Sequence, residues 1–274
     1  MKLKLSFISF FSISCILTST CLAQLPSMED QKWANYFLGV ETRKIRFGIT
    51  SDGSQTFFPL TKRGDIQSVW VPIKFKIEIL EIAGEGKTTS KQVRKKSLKT
   101  EHPAVLNPQN PVTYRGEVTG DAAFEVTITP ERDGFGVSGK ILDQGSLKNP
   151  LKLVVTIGFD PYRKLSDPTK SELKKYDKRT RRDDLEVFVS FNEKKKFDFD
   201  QKVNLSQTFP SGAESLTYQS DGYDRIEFGL KAHGDSKLTF PDDEELMIGN
   251  GVNIQWTFTG ETGSDKEKLV ITAK

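Results

Sequence analysis

Few residues in this chain have the types and spacing that chemistry needs. The two histidines, His102 and His233, stand far apart, one before Pro103 and one before Gly234. A zinc or copper site gathers several His, Cys or carboxylate ligands, so these two read as surface turn residues. Carboxylates are plentiful: Asp198 and Asp200, Asp221 and Asp224, and Asp242-Asp243-Glu244-Glu245. A glycosidase needs two carboxyl groups converging at about 5–10 Å. Asp198 and Asp200 alternate with Phe197 and Phe199, which puts them on the wet face of a strand. Asp221-Gly222-Tyr223-Asp224 and residues 242–245 carry oxygen ligands of the kind calcium uses, but without EF-hand spacing. They read as a turn and a solvated loop.

Two serine motifs fail on context. Ser171-Glu172-Leu173-Lys174 has the Ser-x-x-Lys spacing of penicillin-binding enzymes, but their Ser-Asp-Asn and Lys-Thr-Gly motifs are missing. Gly234-Asp235-Ser236-Lys237-Leu238 resembles the Gly-Asp-Ser-Leu block of a hydrolase family. Here Lys237 interrupts the block and no histidine follows it. A turn into a strand at Leu238–Phe240 accounts for it better. No Gly-x-Ser-x-Gly or complete P-loop pattern occurs.

Binding residues stand out more than catalytic ones. By strand parity Trp70 shares a polar face with Lys74 and Lys76, the arrangement by which a flat sheet stacks on a sugar or meets a partner. A bulge at Pro72 would turn Trp70 inward instead. Two basic stretches, 87–99 and 170–182, offer cations to a polyanion; in the second these include Lys174, Lys175, Arg179, Arg181 and Arg182. Solvated strand and linker surfaces are the plainer reading of both.

The elements that must position such residues begin after a leader. Lys2 and Lys4 precede the apolar run Leu5–Leu17, and the small residues Cys21 and Ala23 follow. That order is the pattern of a cleaved signal peptide, cut between Ala23 and Gln24. The run is too short to span a bilayer, which takes about 20 residues. Neither Cys15 nor Cys21 has leucine three residues before it, so a lipid anchor is the lesser alternative. Cleavage removes both cysteines, leaving no disulfide, and leaves 251 of the 274 residues with a net charge of +1. A near-neutral chain argues against nucleic acid as the main partner. The charge divides unevenly: +5 over residues 24–165, +4 over 166–182 and −8 over 183–274.

Hydrophobic periodicity is two along nearly the whole chain. Val69–Ile79 alternates over eleven residues, with Pro72 marking an edge or a bulge. Further alternating runs are centred on Phe47, Tyr114, Val126, Val137, Val155, Val189, Phe228, Trp256 and Ile271. One helix is expected near Leu25–Gly39, from Trp33, Tyr36 and Phe37. Ser54-Gln55-Thr56-Phe57 recurs as Ser206-Gln207-Thr208-Phe209, either the trace of a duplicated unit or coincidence. Asp160–Asp184 has no strand pattern and many cations.

The expected architecture is all-β: two β-sandwich-like domains, 24–165 and 184–274, joined by a basic, partly helical linker at 166–183. The expected role is that of a secreted or periplasmic, non-catalytic binding or structural module with no cofactor and a protein or glycan partner. A carbohydrate-active hydrolase with a carboxylate pair and a polyanion binder are the alternatives. Made with its leader in an exporting host, the protein should be recovered outside the cytoplasm with Gln24 as its first residue. N-terminal sequencing that begins at Met1 would exclude a cleaved leader.

Overall fold

The computed structural model describes residues 25, 33–67, 73–84, 87–100, 110–159, 187–192, 195–197, 201–220, 226–241, 246–247, 251–258 and 267–274. Strands, numbered in chain order, build three antiparallel sheets. The smallest is the meander β1 (Tyr36–Glu41), β2 (Ile45–Thr50) and β3 (Gln55–Pro59). The second has five strands: β4 (Lys74–Ile82), β5 (Thr88–Lys91), β10 (Leu151–Phe159), β16 (Leu238–Thr239) and β18 (Val252–Thr257). Their order is β16-β18-β10-β4-β5.

The third sheet has nine strands. One side is the run β6 (Lys99–Thr100), β7 (Val112–Glu117), β8 (Ala123–Glu131) and β9 (Gly134–Asp143). The other side holds β11 (Val187–Phe191), β12 (Lys195–Phe197), β14 (Ser215–Ser220) and β15 (Glu227–His233). The last strand, β19 (Lys268–Ala273), lies between β15 and β9 and joins the two sides. A two-stranded pair, β13 (Lys202–Val203) with β17 (Leu246–Met247), and one short helix, α1 (Leu205–Thr208), complete the described elements.

Alternation decides which residues meet. On β4, Phe75, Ile77 and Ile79 are buried while Lys74 and Lys76 are exposed; on β18, Val252, Ile254 and Trp256 are buried. The two large sheets share these inward faces. Phe159 of β10 stacks on Tyr218 of β14, centroids 4.3 Å apart, and lies 5.4 Å from Phe228 of β15. The small sheet closes the layer: Phe47 and Phe57 both reach Phe75 of the five-stranded sheet and Phe135 of the nine-stranded one. The result is one contiguous apolar core.

The expected boundary at 166–183 does not coincide with a boundary between sheets or cores. β18 pairs with β10, β19 pairs with β9, and residues from both sides fill the same core. Composition hid this, because a strand's sequence does not say which strand it pairs with. The linker itself lies outside the described residues. Over residues 33–39, the described part of the helix expected near Leu25–Gly39, a turn and a strand stand instead. Asn35 takes the left-handed conformation at φ 69°, and β1 starts at Tyr36. Gly39 leaves room for the Trp33 ring, which a Cβ there would meet at 2.0 Å. The recurrent tetrapeptide is strand in β3 but helix in α1, where the Asn204 side chain caps Gln207 N–H, so the two copies differ in structure.

Because β19 and β18 pair across the expected boundary, residues 24–165 and 184–274 should each fail to fold when made alone. Co-expressed, the two pieces should co-purify as one folded complex. A cooperative thermal transition from 184–274 by itself would refute this.

Candidate functional site

The described residues enclose a cavity of about 200 Å³ where the small sheet, β4 and the crossing from β5 to β6 meet. Its apolar wall is Ile49, Ile77, Ile79, Val93, Leu98 and Phe124. Its polar groups come from Gln55, Glu78, Gln92, Lys95 and Tyr114. Gln92 and Lys95 are exposed while Ile77, Ile79, Tyr114 and Phe124 are buried, so the cavity leads from the surface into the core.

Local structure explains each wall. The turn before β3 is set by Asp52, which bonds the Thr50 hydroxyl and accepts the Ser54 N–H at 2.9 Å, with Gly53 at φ 84°. The Thr50 hydroxyl, the Ser54 contacts and, last, the Lys95 charge hold the exposed Asp52 carboxyl at a pKa of about 2. Its contribution to the turn is present above the ordinary carboxylate range and fades as pH falls through about 4 toward 2. Gln55 then does the work of a missing strand. Its amide donates to Ile77 O at 2.8 Å and accepts from Ile77 N–H at 2.7 Å. β5 pairs with β4 only along 79–82, so this clamp occupies a backbone edge that would otherwise lack partners.

The opposite wall is the chain crossing between sheets. Residues 92–98 run beside the end of β7: Thr119 N–H donates to Gln92 O at 2.9 Å and Arg94 N–H to Glu117 O at 2.8 Å. Val93 bridges to Val118. A short 3-10 turn at Lys95–Ser97 follows. Beneath it Tyr114 is 3 % exposed and meets the Phe124 ring edge-on at 6.2 Å. Burial alone pushes its phenol well above the ordinary tyrosine value. No described residue hydrogen-bonds its hydroxyl.

Charges at the mouth are unequal. Glu78 is engaged by Lys76 Nζ and by the Ser90 hydroxyl, each at 2.5 Å. Lys95 lies across Gly53, feels the Asp52 charge, and has no ion-pair partner among the described residues.

The sequence-predicted site residues fall elsewhere. Lys74 and Lys76 do share the exposed face of β4, but their proposed companion Trp70 lies outside the described residues. So do Lys174, Lys175, Arg179, Arg181 and Arg182, the cleavage pair Ala23 and Gln24, His102, and the acidic groups at 198–200, 221–224 and 242–245. In the basic stretch 87–99, Lys91 pairs with Glu81, and Arg94 with Asp121 and Glu117. Ser236 is structural: it is buried, its hydroxyl donates to His233 O at 2.8 Å, and it accepts from Trp256 Nε1 at 2.9 Å. His233 ends β15, and partial burial followed by the Lys231 and Lys268 charges lowers its pKa. Among the described residues no three His, Cys, Asp or Glu side chains gather as a metal site requires. No described helix is long and apolar enough to cross a membrane.

Sequence reasoning missed Gln55 and Tyr114, and took Lys95 only as one cation of the basic stretch 87–99. Parity placed Tyr114 on an inward face, but nothing in the sequence marked the cavity in front of it. No protein-family model matches the chain, and no curated protein matches it in sequence.

The clamp yields a test. Gln55→Glu keeps the size and an acceptor but, once ionised, has no donor for Ile77 O. The variant should lose about 1–3 kcal/mol at pH 7. The introduced carboxyl has its pKa raised in the fold, so stability should recover as pH drops through that pKa toward the unfolded value near 4. Urea unfolding midpoints at pH 7 and pH 4 measure this; equal losses at both would reject the clamp.

Proposed function

We propose that the protein is exported and acts as a non-catalytic binding module, holding a small ligand with an apolar body in this cavity. The observation that carries the reading is Tyr114: a buried residue on the wall of a space that opens to the surface, whose hydroxyl has no hydrogen-bond partner among the described residues. Buried polar groups are ordinarily hydrogen-bonded, so a hydroxyl left facing a cavity is a natural contact for a guest. The size sets a limit. Drug-sized ligands occupy about 300–1,000 Å³, whereas a 150 Å³ apolar cavity holds benzene. About 200 Å³ suits a body of roughly six to ten non-hydrogen atoms.

The hydrolase alternative has less support. The acid of a glycosidase needs a raised pKa. The described carboxyls with resolved shifts move the other way. Glu81 is lowered by Lys91 and Asn149, and Glu214 by Lys237. Burial pushes Glu125 up, but Arg115 and Lys140 outweigh it. A polyanion surface over 87–99 is weakened by the carboxylates that already pair with Lys91 and Arg94. Export is supported by the leader and by Leu25, which lies two residues past the expected cut, is buried, and donates its N–H to Ser51 O at 2.8 Å.

Benzene titrated into the methyl-labelled protein should shift the Ile77, Ile79 and Leu98 methyl signals saturably. Val93→Phe, which fills the cavity from its rim, should abolish those shifts and leave the melting temperature within a few degrees. Unmoved methyl signals at saturating benzene, or unchanged binding in Val93→Phe, would dismiss the cavity as a site.

A further inference from the structure

The chemistry around the cavity narrows what it holds. Of its polar groups, Gln55 spends both ends of its amide on Ile77, and Glu78 gives one carboxylate oxygen, Oε2, to both Lys76 and Ser90. What remains to donate to a guest is the Tyr114 hydroxyl inside and, at the mouth, the Gln92 amide and the Lys95 ammonium. All three donate hydrogen bonds, and the last is a full positive charge with no ion pair among the described residues. The apolar wall is Ile77, Ile79, Leu98 and Phe124. Resting on the cavity being a binding site, we infer that the ligand is a small monocarboxylate, with its aliphatic body against that wall and its carboxylate taken by Lys95 and Tyr114.

The match is complementary in three respects. A carboxylate only accepts hydrogen bonds, and the available groups can all donate. Hydrogen bonds to an ionised acceptor are about twice as strong as neutral ones, which lets two contacts orient a small guest. A cationic head would face Lys95, and like charges disfavour that placement. A neutral alcohol would fill the apolar space but leave the ammonium unused. The Asp52 carboxylate does not close the site against an anion, because Thr50 and Ser54 already hold it and it forms no ion pair with Lys95.

The test compares octanoate with 1-octanol, which share a chain length, by calorimetry and by the methyl signals of Ile77 and Leu98. Octanoate should bind more tightly at low salt. Lys95→Gln should weaken octanoate by about threefold to tenfold and leave octanol unchanged, since exposed charge contacts are modest. Tyr114→Phe, which removes a hydroxyl without a partner among the described residues, should fold normally and weaken octanoate by about fivefold. Equal binding of both probes, or no effect of Lys95→Gln on octanoate, overturns the carboxylate inference while the cavity reading stands. Failure of both probes to move the cavity signals overturns the two together.

Discussion

The fold depends on one insertion: the last strand, β19, enters between β15 and β9. Its register is continuous on both sides, Phe228↔Ala273 through His233↔Lys268 on one and Leu269↔Val137 through Thr272↔Gly134 on the other. Close approach makes this fit. A Cβ on Gly134 would lie 1.8 Å from Ile271 O, and one on Gly229 would lie 2.6 Å from Thr272 Oγ1. The first contact is backbone and cannot swing away, so the β9 side tolerates no side chain there. Without β19 the nine-stranded sheet becomes two meanders, each with a row of unpaired backbone groups facing the gap.

The same insertion ties the layers together. β10 receives β18 on one edge and β4 on the other, so the five-stranded sheet also mixes early and late chain. Phe135, Phe159, Tyr218 and Phe228 then meet in one core, and Phe47 and Phe57 reach into it from the small sheet. Large aromatic side chains bury 150–250 Å² each, and here they touch across sheets rather than along strands. The pairing is non-local, which delays its completion until the C-terminal strand is available.

Much of the strand content was legible because strands with one buried face write a period of two. The run Leu151–Phe159 is β10, and Ser51-Asp52-Gly53 is the turn before β3. The failures have physical causes. Trp33, Tyr36 and Phe37 have helical spacing, but Asn35 takes a left-handed turn and Gly39 yields its Cβ space to Trp33. The tetrapeptide shared by residues 54–57 and 206–209 is too short to dictate its own structure, so its surroundings decide. The single core was invisible because the basic stretch at 160–184 resembles a linker, and pairing partners are not written in sequence. The site was least legible: Gln55 and Tyr114 look like any other strand residues until β4 is seen to run past the end of β5 at Ile77.

That missing neighbour explains why a cavity exists where it does. β5 covers β4 only from Ile79 to Ile82. At Ile77 the edge is met by a single side chain, Gln55, which satisfies two backbone groups but fills far less volume than a strand. The chain leaving β5 has meanwhile crossed to the nine-stranded sheet, where Val93 and Arg94 dock on Val118 and Glu117. The space between clamp and crossing is lined by whatever the two sheets turn inward there, which is mostly isoleucine, leucine and phenylalanine. A packed core would close such a gap, since lining atoms lose dispersion contacts across a void. Its persistence beside the Tyr114 hydroxyl and the Lys95 ammonium, neither of which has a hydrogen-bond or ion-pair partner among the described residues, is therefore a cost to the empty protein that a guest of the right shape and charge would offset.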